Sequence, residues 1–171
     1  MKIIDFIRTK KQPGDPRLDG TLAMKGMLSA KVLRKDGSTE DLGVICKEKV
    51  TQAFAAYLVN ALVSGSGTYP MDVFIYHDCG TGTTAEANTQ TALVTPYGGA
   101  RTAGTKVVAS AYVYRSVGTI SFSGTFAITE HGLFSAAAAG TMMDRSLFAA
   151  INVVSGDGIQ FTYELTVTPE A

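Results

Sequence analysis

The chain has few cysteines, and it contains no apolar run that could span a membrane. Only two cysteines, Cys46 and Cys79, occur among its 171 residues, which excludes a disulfide framework but leaves one bridge possible. The first apolar stretch is interrupted by Asp5, so it does not fit a secretion signal. No segment approaches the ~20 apolar residues of a membrane helix. We therefore expect a cytoplasmic product with reduced thiols and no membrane partner.

The chain also lacks a net charge, because its 15 basic residues equal its 15 acidic residues in number. Nothing in this balance indicates direct binding to nucleic acid. The charges are nevertheless unevenly distributed, since residues 1–35 carry nine basic and three acidic side chains, a net +6, and the remainder carries −6. This asymmetry is typical either of a basic arm that meets a negative surface or of an ordinary solvated terminus.

Side chains suited to catalysis or metal binding are scarce. The chain has only two histidines, no Gly-x-Ser-x-Gly motif, and no lysine in the glycine-rich stretch after Cys79, where a phosphate-binding loop would need one. His77, Asp78, Cys79 and His131 are the only candidates for a transition-metal site, and they lack the paired spacing of such sites. We therefore expect no enzymatic activity, no catalytic residue, no metal and no cofactor. Each histidine is predicted to be a hydrogen-bonded residue at the end of a strand.

The clearest pattern lies near the end of the sequence. Apolar residues occupy the odd-numbered positions from Ile159 to Val167, and polar residues occupy the positions between them, which is the period of a strand with one buried face. From Val107 onward, short alternating runs are separated by Gly and Ser, with Gly118 and Gly124 as expected breaks. The sequence thus predicts a mainly β fold, an antiparallel β-sandwich or jelly-roll-like domain.

Turn and helix signals divide the rest of the chain. Asp36-Gly37 predicts a hairpin within residues 27–45, and Ser155-Gly156-Asp157-Gly158 predicts a second hairpin before the last strand. Residues 51–64 have helical apolar spacing, with Thr51 as the N-cap, and this helix is expected to bury its apolar face against the sheet. Residues 71–77 are predicted to form a buried strand. The Thr- and Gly-rich residues 78–106 form a loop long enough to be either a functional surface or a segment that a partner orders.

The first 26 residues are predicted to form an extended arm, and residues 27–171 a single β-rich domain. Pro13 and Pro16 prevent a central strand or helix interior there, and an apolar tip precedes a polar, basic stretch. That tip needs a docking place, either as an edge strand on its own domain or on a neighbouring molecule. The candidate partner-binding residues are Ile3, Ile4, Phe6, Ile7, Arg8, Lys10 and Lys11.

Glu130 and Arg145 each lie in an apolar stretch of sequence. An unpaired charge in such surroundings would be costly. We therefore consider three arrangements: the two side chains form a structural ion pair, Arg145 pairs with Asp144 of a neighbouring subunit, or both charges lie at solvated strand ends.

Three segments, Ile128–Phe134, Gly140–Ile151 and Ile159–Leu165, together resemble the C-terminal signature of a family of tailed-phage virion proteins. The earlier segments Tyr76–Gly82 and Leu42–Val44 fit the same pattern. The resemblance covers roughly residues 27–168, and its motifs are structural. It implies a capsid cement, or decoration, protein on the outer surface of the head that stabilises contacts between major capsid protein subunits.

The same resemblance implies two partners, the major capsid protein and further copies of this chain in a homo-oligomer, which we expect to be a trimer. It also implies synthesis in the host cytoplasm. Two alternatives stay open. The first is a virion structural protein associated with the tail, baseplate or fibre, because similar motifs occur there. The second is a small ligand-binding or hydrolytic sandwich that uses His77, Asp78 and His131.

Overall fold

The computed structural model describes residues 23–48, 50–64 and 67–168. Two antiparallel sheets in this part of the chain are packed face to face as a β-sandwich, with one α-helix. The predicted fold class is therefore confirmed. The proposed arm lies mostly outside the described residues, and residues 23–26, which the sequence analysis placed in the arm, belong instead to the first strand.

One sheet has five strands and the other has four. The strands are β1 (Ala23–Leu33), β2 (Thr39–Glu48), β3 (Tyr76–Gly80), β4 (Thr102–Ala103), β5 (Thr105–Ser110), β6 (Val113–Ser121), β7 (Phe126–Phe134), β8 (Met142–Val153) and β9 (Gly158–Thr168). The spatial order is β2-β1-β9-β6-β5 in the larger sheet and β4-β3-β7-β8 in the smaller one. The last strand, β9, lies at the centre of the larger sheet, which explains its strict apolar alternation.

The two predicted hairpins are present, and a buried carboxylate joins their turns. Gly37 and Gly156 adopt φ values of 85° and 92°, which glycine reaches at little steric cost. Asp157 accepts hydrogen bonds from the backbone N–H groups of Lys35 (3.0 Å) and Val154 (3.1 Å) and from Arg34 (3.1 Å). These hydrogen bonds lower the pKa of Asp157, and the two backbone donors have the largest effect. The carboxylate therefore remains charged where the β1–β2 and β8–β9 turns meet.

The predicted helix, α1 (Gln52–Ser64), is also present. The Thr51 hydroxyl accepts a bond from the Phe54 N–H at 3.1 Å and donates one to the Met142 carbonyl at 2.6 Å, so it caps the helix and fastens it to β8. The expectation that the apolar face packs on the sheet holds only for the first turns. Phe54 is buried against Phe74, whereas Leu62 remains 80% exposed.

Two local predictions were wrong. Residues 71–77 do not form one strand, because Met71–Val73 is a short 3-10 helix and β3 begins only at Tyr76. Gly118 does not break a strand but lies inside β6, buried beneath the His77 ring. The absence of a side chain at Gly118 is required by a close contact between the two sheets.

Candidate interaction surface

The long segment 81–101 is held against the outer face of the four-stranded sheet by one carboxylate. Glu130, on β7, accepts hydrogen bonds from the backbone N–H groups of Gly82 (3.2 Å), Val94 (3.1 Å) and Thr95 (2.7 Å). It also accepts one from Arg145 Nε at 2.7 Å. Burial alone would raise the pKa of Glu130, but these hydrogen bonds together outweigh it and the pKa is lowered. The segment is thus anchored to a charged group within the same chain.

Arg145, on β8, completes this anchor. The Arg145 side chain is 1% exposed and the Glu130 side chain is 0% exposed. Arg145 Nη1 donates hydrogen bonds to the Thr84 carbonyl at 3.0 Å and to Gln90 Oε1 at 3.1 Å. The structure therefore brings together Glu130 and Arg145 as an ion pair within one chain. Asp144 instead accepts a bond from Ser146.

Arg101 fastens the far end of the same segment. Its guanidinium lies 3.4 Å from the centre of the Phe134 ring, and it donates to Asp78 at 3.3 Å and to the carbonyls of Ala136 and Ala139 at 2.9 and 2.6 Å. Burial raises the pKa of Asp78 although Arg101 opposes that shift. Contacts inside the molecule therefore hold residues 81–101 at several points along the segment.

The two histidines meet in the interior between the sheets. His77 Nδ1 lies 3.0 Å from His131 Nε2, and His77 Nε2 lies 2.9 Å from Ser116 Oγ. Burial lowers the pKa of His77 to about 4, and burial followed by the neighbouring His77 lowers the pKa of His131 well below its usual value. Both rings are neutral at pH 7 and connect β3, β7 and β6. The predicted hydrogen bonding is present, and His77 is the second residue of β3, but His131 lies inside β7 rather than at a strand end.

The other two candidates for a metal site, Asp78 and Cys79, do not complete such a site with this pair. Asp78 turns to the opposite face of β3 and meets Arg101, while Cys79 is buried in the apolar core. Among the described residues, no group of three or more His, Cys, Asp or Glu side chains is arranged to hold a metal ion. Cys46 and Cys79 form no disulfide with each other.

An apolar groove of about 640 Å³ opens beside the β5–β6 hairpin. The 3-10 helix forms one wall and the hairpin forms the other. Its lining is Met71, Asp72, Lys106, Val107, Val108, Ser110, Ala111, Tyr112, Val113, Tyr114 and Val167. Val108 is 82% exposed and Tyr112 is 61% exposed. An ion pair within the lining joins Lys106 and Asp72 at 3.0 Å, and the hydrogen bond from Lys106 lowers the pKa of Asp72.

One of the strands that line the groove, β5, is an edge strand of the larger sheet. β5 pairs with β6 on one side, no described strand pairs with its other side, and all six of its residues are exposed. Unpaired edge strands present backbone N–H and C=O groups to any chain that can add alongside. The surface thus combines apolar side chains with unused backbone hydrogen-bonding groups, and it is the best candidate for a partner-binding site in the described chain.

The sequence analysis missed this surface, and its own partner-binding candidates cannot be compared with it. Ile3, Ile4, Phe6, Ile7, Arg8, Lys10 and Lys11 lie outside the described residues. The sequence places Val107 and Val108 in a run of short strands, and no partner-binding role was predicted for them. Two adjacent valines necessarily point to opposite faces of a strand, and this was the one signal that at least one of them would be exposed.

The described chain contains no helix that is both long enough and apolar enough to cross a membrane. No family model, no curated protein and no solved structure matches the sequence.

Proposed function

We propose that this chain is a decoration protein of a tailed-phage head, which binds the outer surface of the shell and stabilises contacts between major capsid protein subunits. The observation that carries the proposal is the apolar groove whose lining includes the edge strand β5. A compact subunit that exposes a contiguous apolar surface of this kind typically uses it for association.

Three further features support an assembly role. The fold is the β-sandwich that the virion-protein resemblance implies. Charged groups that are largely buried hold the long segment 81–101, so this part of the subunit surface has a defined conformation. The exposed apolar side chains of the groove would contribute about 1.5–3 kcal/mol each when fully buried, before the costs of association are subtracted.

Copies of the chain act together in this proposal. A homo-oligomer, which we expect to be a trimer, would present several grooves to the shell at once. Multivalent attachment raises a weak single contact to stable binding without any new type of contact. The proposed location is the outer surface of the capsid, and the proposed partners are the major capsid protein and further copies of this chain.

The direct test is binding to heads that lack the protein. Purified protein is mixed with heads assembled from the major capsid protein of the same phage, and the bound fraction is measured by sedimentation. We expect stoichiometric binding that Val108→Asp combined with Tyr112→Asp weakens at least 100-fold. Leu62→Asp combined with Val63→Asp is the matched control, because these residues are at least as exposed as Tyr112 and lie on α1, outside the groove.

Two outcomes would overturn the proposal. The first is equal binding of the groove variant and the control variant. The second is absence of the protein from heads, with its density found on the tail in electron cryomicroscopy of the whole virion, which would establish the tail-associated alternative.

A further inference from the structure

The described chain begins beside the apolar groove. Ala23 and Met24, the first two residues of β1, pair with Thr168 and Val167 of β9. Val167 lines the groove, and its N–H donates to the Tyr112 carbonyl at 2.9 Å. Residues 1–22 therefore connect to the body one strand away from a groove residue.

The segment outside the described residues carries a matching apolar tip. Ile3, Ile4, Phe6 and Ile7 lie close together in sequence, and 15 residues separate Ile7 from Ala23. A chain of 15 residues has a root-mean-square span on the order of 20 Å. The groove wall on β5 is three strand spacings from β1, about 14 Å. The tether therefore spans the distance with length to spare.

We propose that in the free subunit the apolar tip, Ile3–Ile7, docks in the groove of its own chain. A tether whose span matches the separation of two sites gives an effective concentration on the order of millimolar. The tip of the same molecule thus outcompetes the tip of any other at ordinary protein concentrations. Tip and groove cover each other's apolar side chains, and the extended tip has the free edge of β5 available for backbone hydrogen bonds.

This inference concerns the free subunit and does not depend on the proposed role on the phage head. Docking of the tip would cover apolar side chains of the groove in the free subunit, among them Val108 and Tyr112. Displacement of the tip from the groove would then make both the tip and the groove available to a partner.

Hydrogen exchange of the full-length protein, followed by mass spectrometry of its N-terminal peptides, tests the docking. Amides of residues 3–7 should be protected in the unmodified protein, and Val108→Asp should speed their exchange at least tenfold. Val63→Asp is the control, because Val63 is as exposed as Val108, at 82%, and lies on α1. This control should retain the protection. Exchange of residues 3–7 at the rate of an unstructured peptide in the unmodified protein would overturn the proposal.

A crosslinking experiment tests whether the contact lies within one chain. Phe6 is replaced by the photo-reactive amino acid p-benzoyl-phenylalanine, and unlabelled protein is mixed with an equal amount of ¹⁵N-labelled protein before irradiation. We expect crosslinks to Val108 or Tyr112 that join only peptides of the same isotopic composition. Crosslinks that join labelled to unlabelled peptides would assign the groove to the tip of a neighbouring copy. Crosslinks outside the groove would assign the tip to another surface. Either result would overturn the proposal.

Discussion

At the scale of single residues, the Glu130–Arg145 pair has the largest expected effect on stability. Glu130→Gln removes the negative charge while nearly preserving the shape of the side chain, so it leaves the buried Arg145 guanidinium without a counter-charge. Breaking a buried ion pair from one side costs about 3–5 kcal/mol. We expect a loss of this size in the free energy of unfolding measured in urea, together with faster hydrogen exchange in residues 81–101.

The control for this prediction is Glu164→Gln. Glu164 also pairs with an arginine, but the Arg115 side chain is 41% exposed, and exposed pairs contribute about 0–1 kcal/mol. A loss in Glu130→Gln no greater than in Glu164→Gln would show that the buried pair does not anchor the segment.

At the scale of secondary-structure elements, the contact between β3 and β6 determines how closely the two sheets approach. A Cβ atom at Gly118 would lie 2.5 Å from Cδ2 of the His77 ring, which is itself held by Ser116 and His131. Gly118→Ala must therefore displace a buried ring or separate the strands. Overpacking of this kind typically costs 1–3 kcal/mol, and we expect a corresponding fall in the urea midpoint.

Gly158→Ala is the matched control, since Gly158 also lies in a strand. A Cβ atom at Gly158 would lie 3.4 Å from the Ile120 carbonyl oxygen, which is an ordinary van der Waals contact. We expect it to unfold close to the unmodified protein. Equal losses in the two alanine variants would indicate a general effect of replacing strand glycines and would contradict the proposed role of the His77 contact.

The elements that could be predicted from the sequence are those specified by nearby residues. The alternation in β9, the two glycine turns and the Thr51 cap each depend on positions a few residues apart, and the structure contains all of them. Residues 71–77 have strong strand propensity, yet Met71–Val73 forms a 3-10 helix. Intrinsic β propensity is readily overridden by tertiary context.

Segment 81–101 and the groove could not be predicted in the same way, because their structures depend on residues that are distant in sequence. Segment 81–101 has no periodicity of its own, and its conformation depends on Glu130 and Arg145, which are supplied by two other strands. The apolar stretches around Glu130 and Arg145 made their ion pair one of three arrangements, and they gave no indication of the segment that the pair anchors. The groove depends on which strand is left at the sheet edge, and that is a property of topology.

At the scale of the whole molecule, buried titratable groups with opposite effects determine how stability depends on pH. His77 and His131 have lowered pKa values in the fold, so between pH 6.5 and about 4 the unfolded chain binds protons that the folded chain does not. Stability is therefore lost as the pH falls through this window. Asp144 acts in the opposite direction. Burial raises its pKa to about 7, so the folded state holds a proton that the unfolded state lacks.

Asp144→Asn separates these contributions, because it removes the opposing group and leaves both histidines. Between pH 6 and pH 5 the two histidines bind about two more protons in the unfolded chain than in the folded chain. Asp144 binds about one more proton in the folded chain, so it offsets about half of this difference. One proton corresponds to about 1.4 kcal/mol per pH unit. We therefore expect the unmodified protein to lose about 1.4 kcal/mol per pH unit over this interval and Asp144→Asn to lose about twice as much, measured from urea unfolding at a series of pH values.

Asp41→Asn provides the control, since Asp41 lies at the surface with its side chain 68% exposed, and this variant should keep the slope of the unmodified protein. If stability changes with pH equally in Asp144→Asn and in the unmodified protein, Asp144 is ionised in the folded state at pH 5. Other interactions would then offset the effect of burial on its pKa. A slope near zero in all three proteins would mean that the histidine pair gains protons in the folded state as readily as in the unfolded chain. The contact between His77 and His131 would then have to open in acid without unfolding the sandwich.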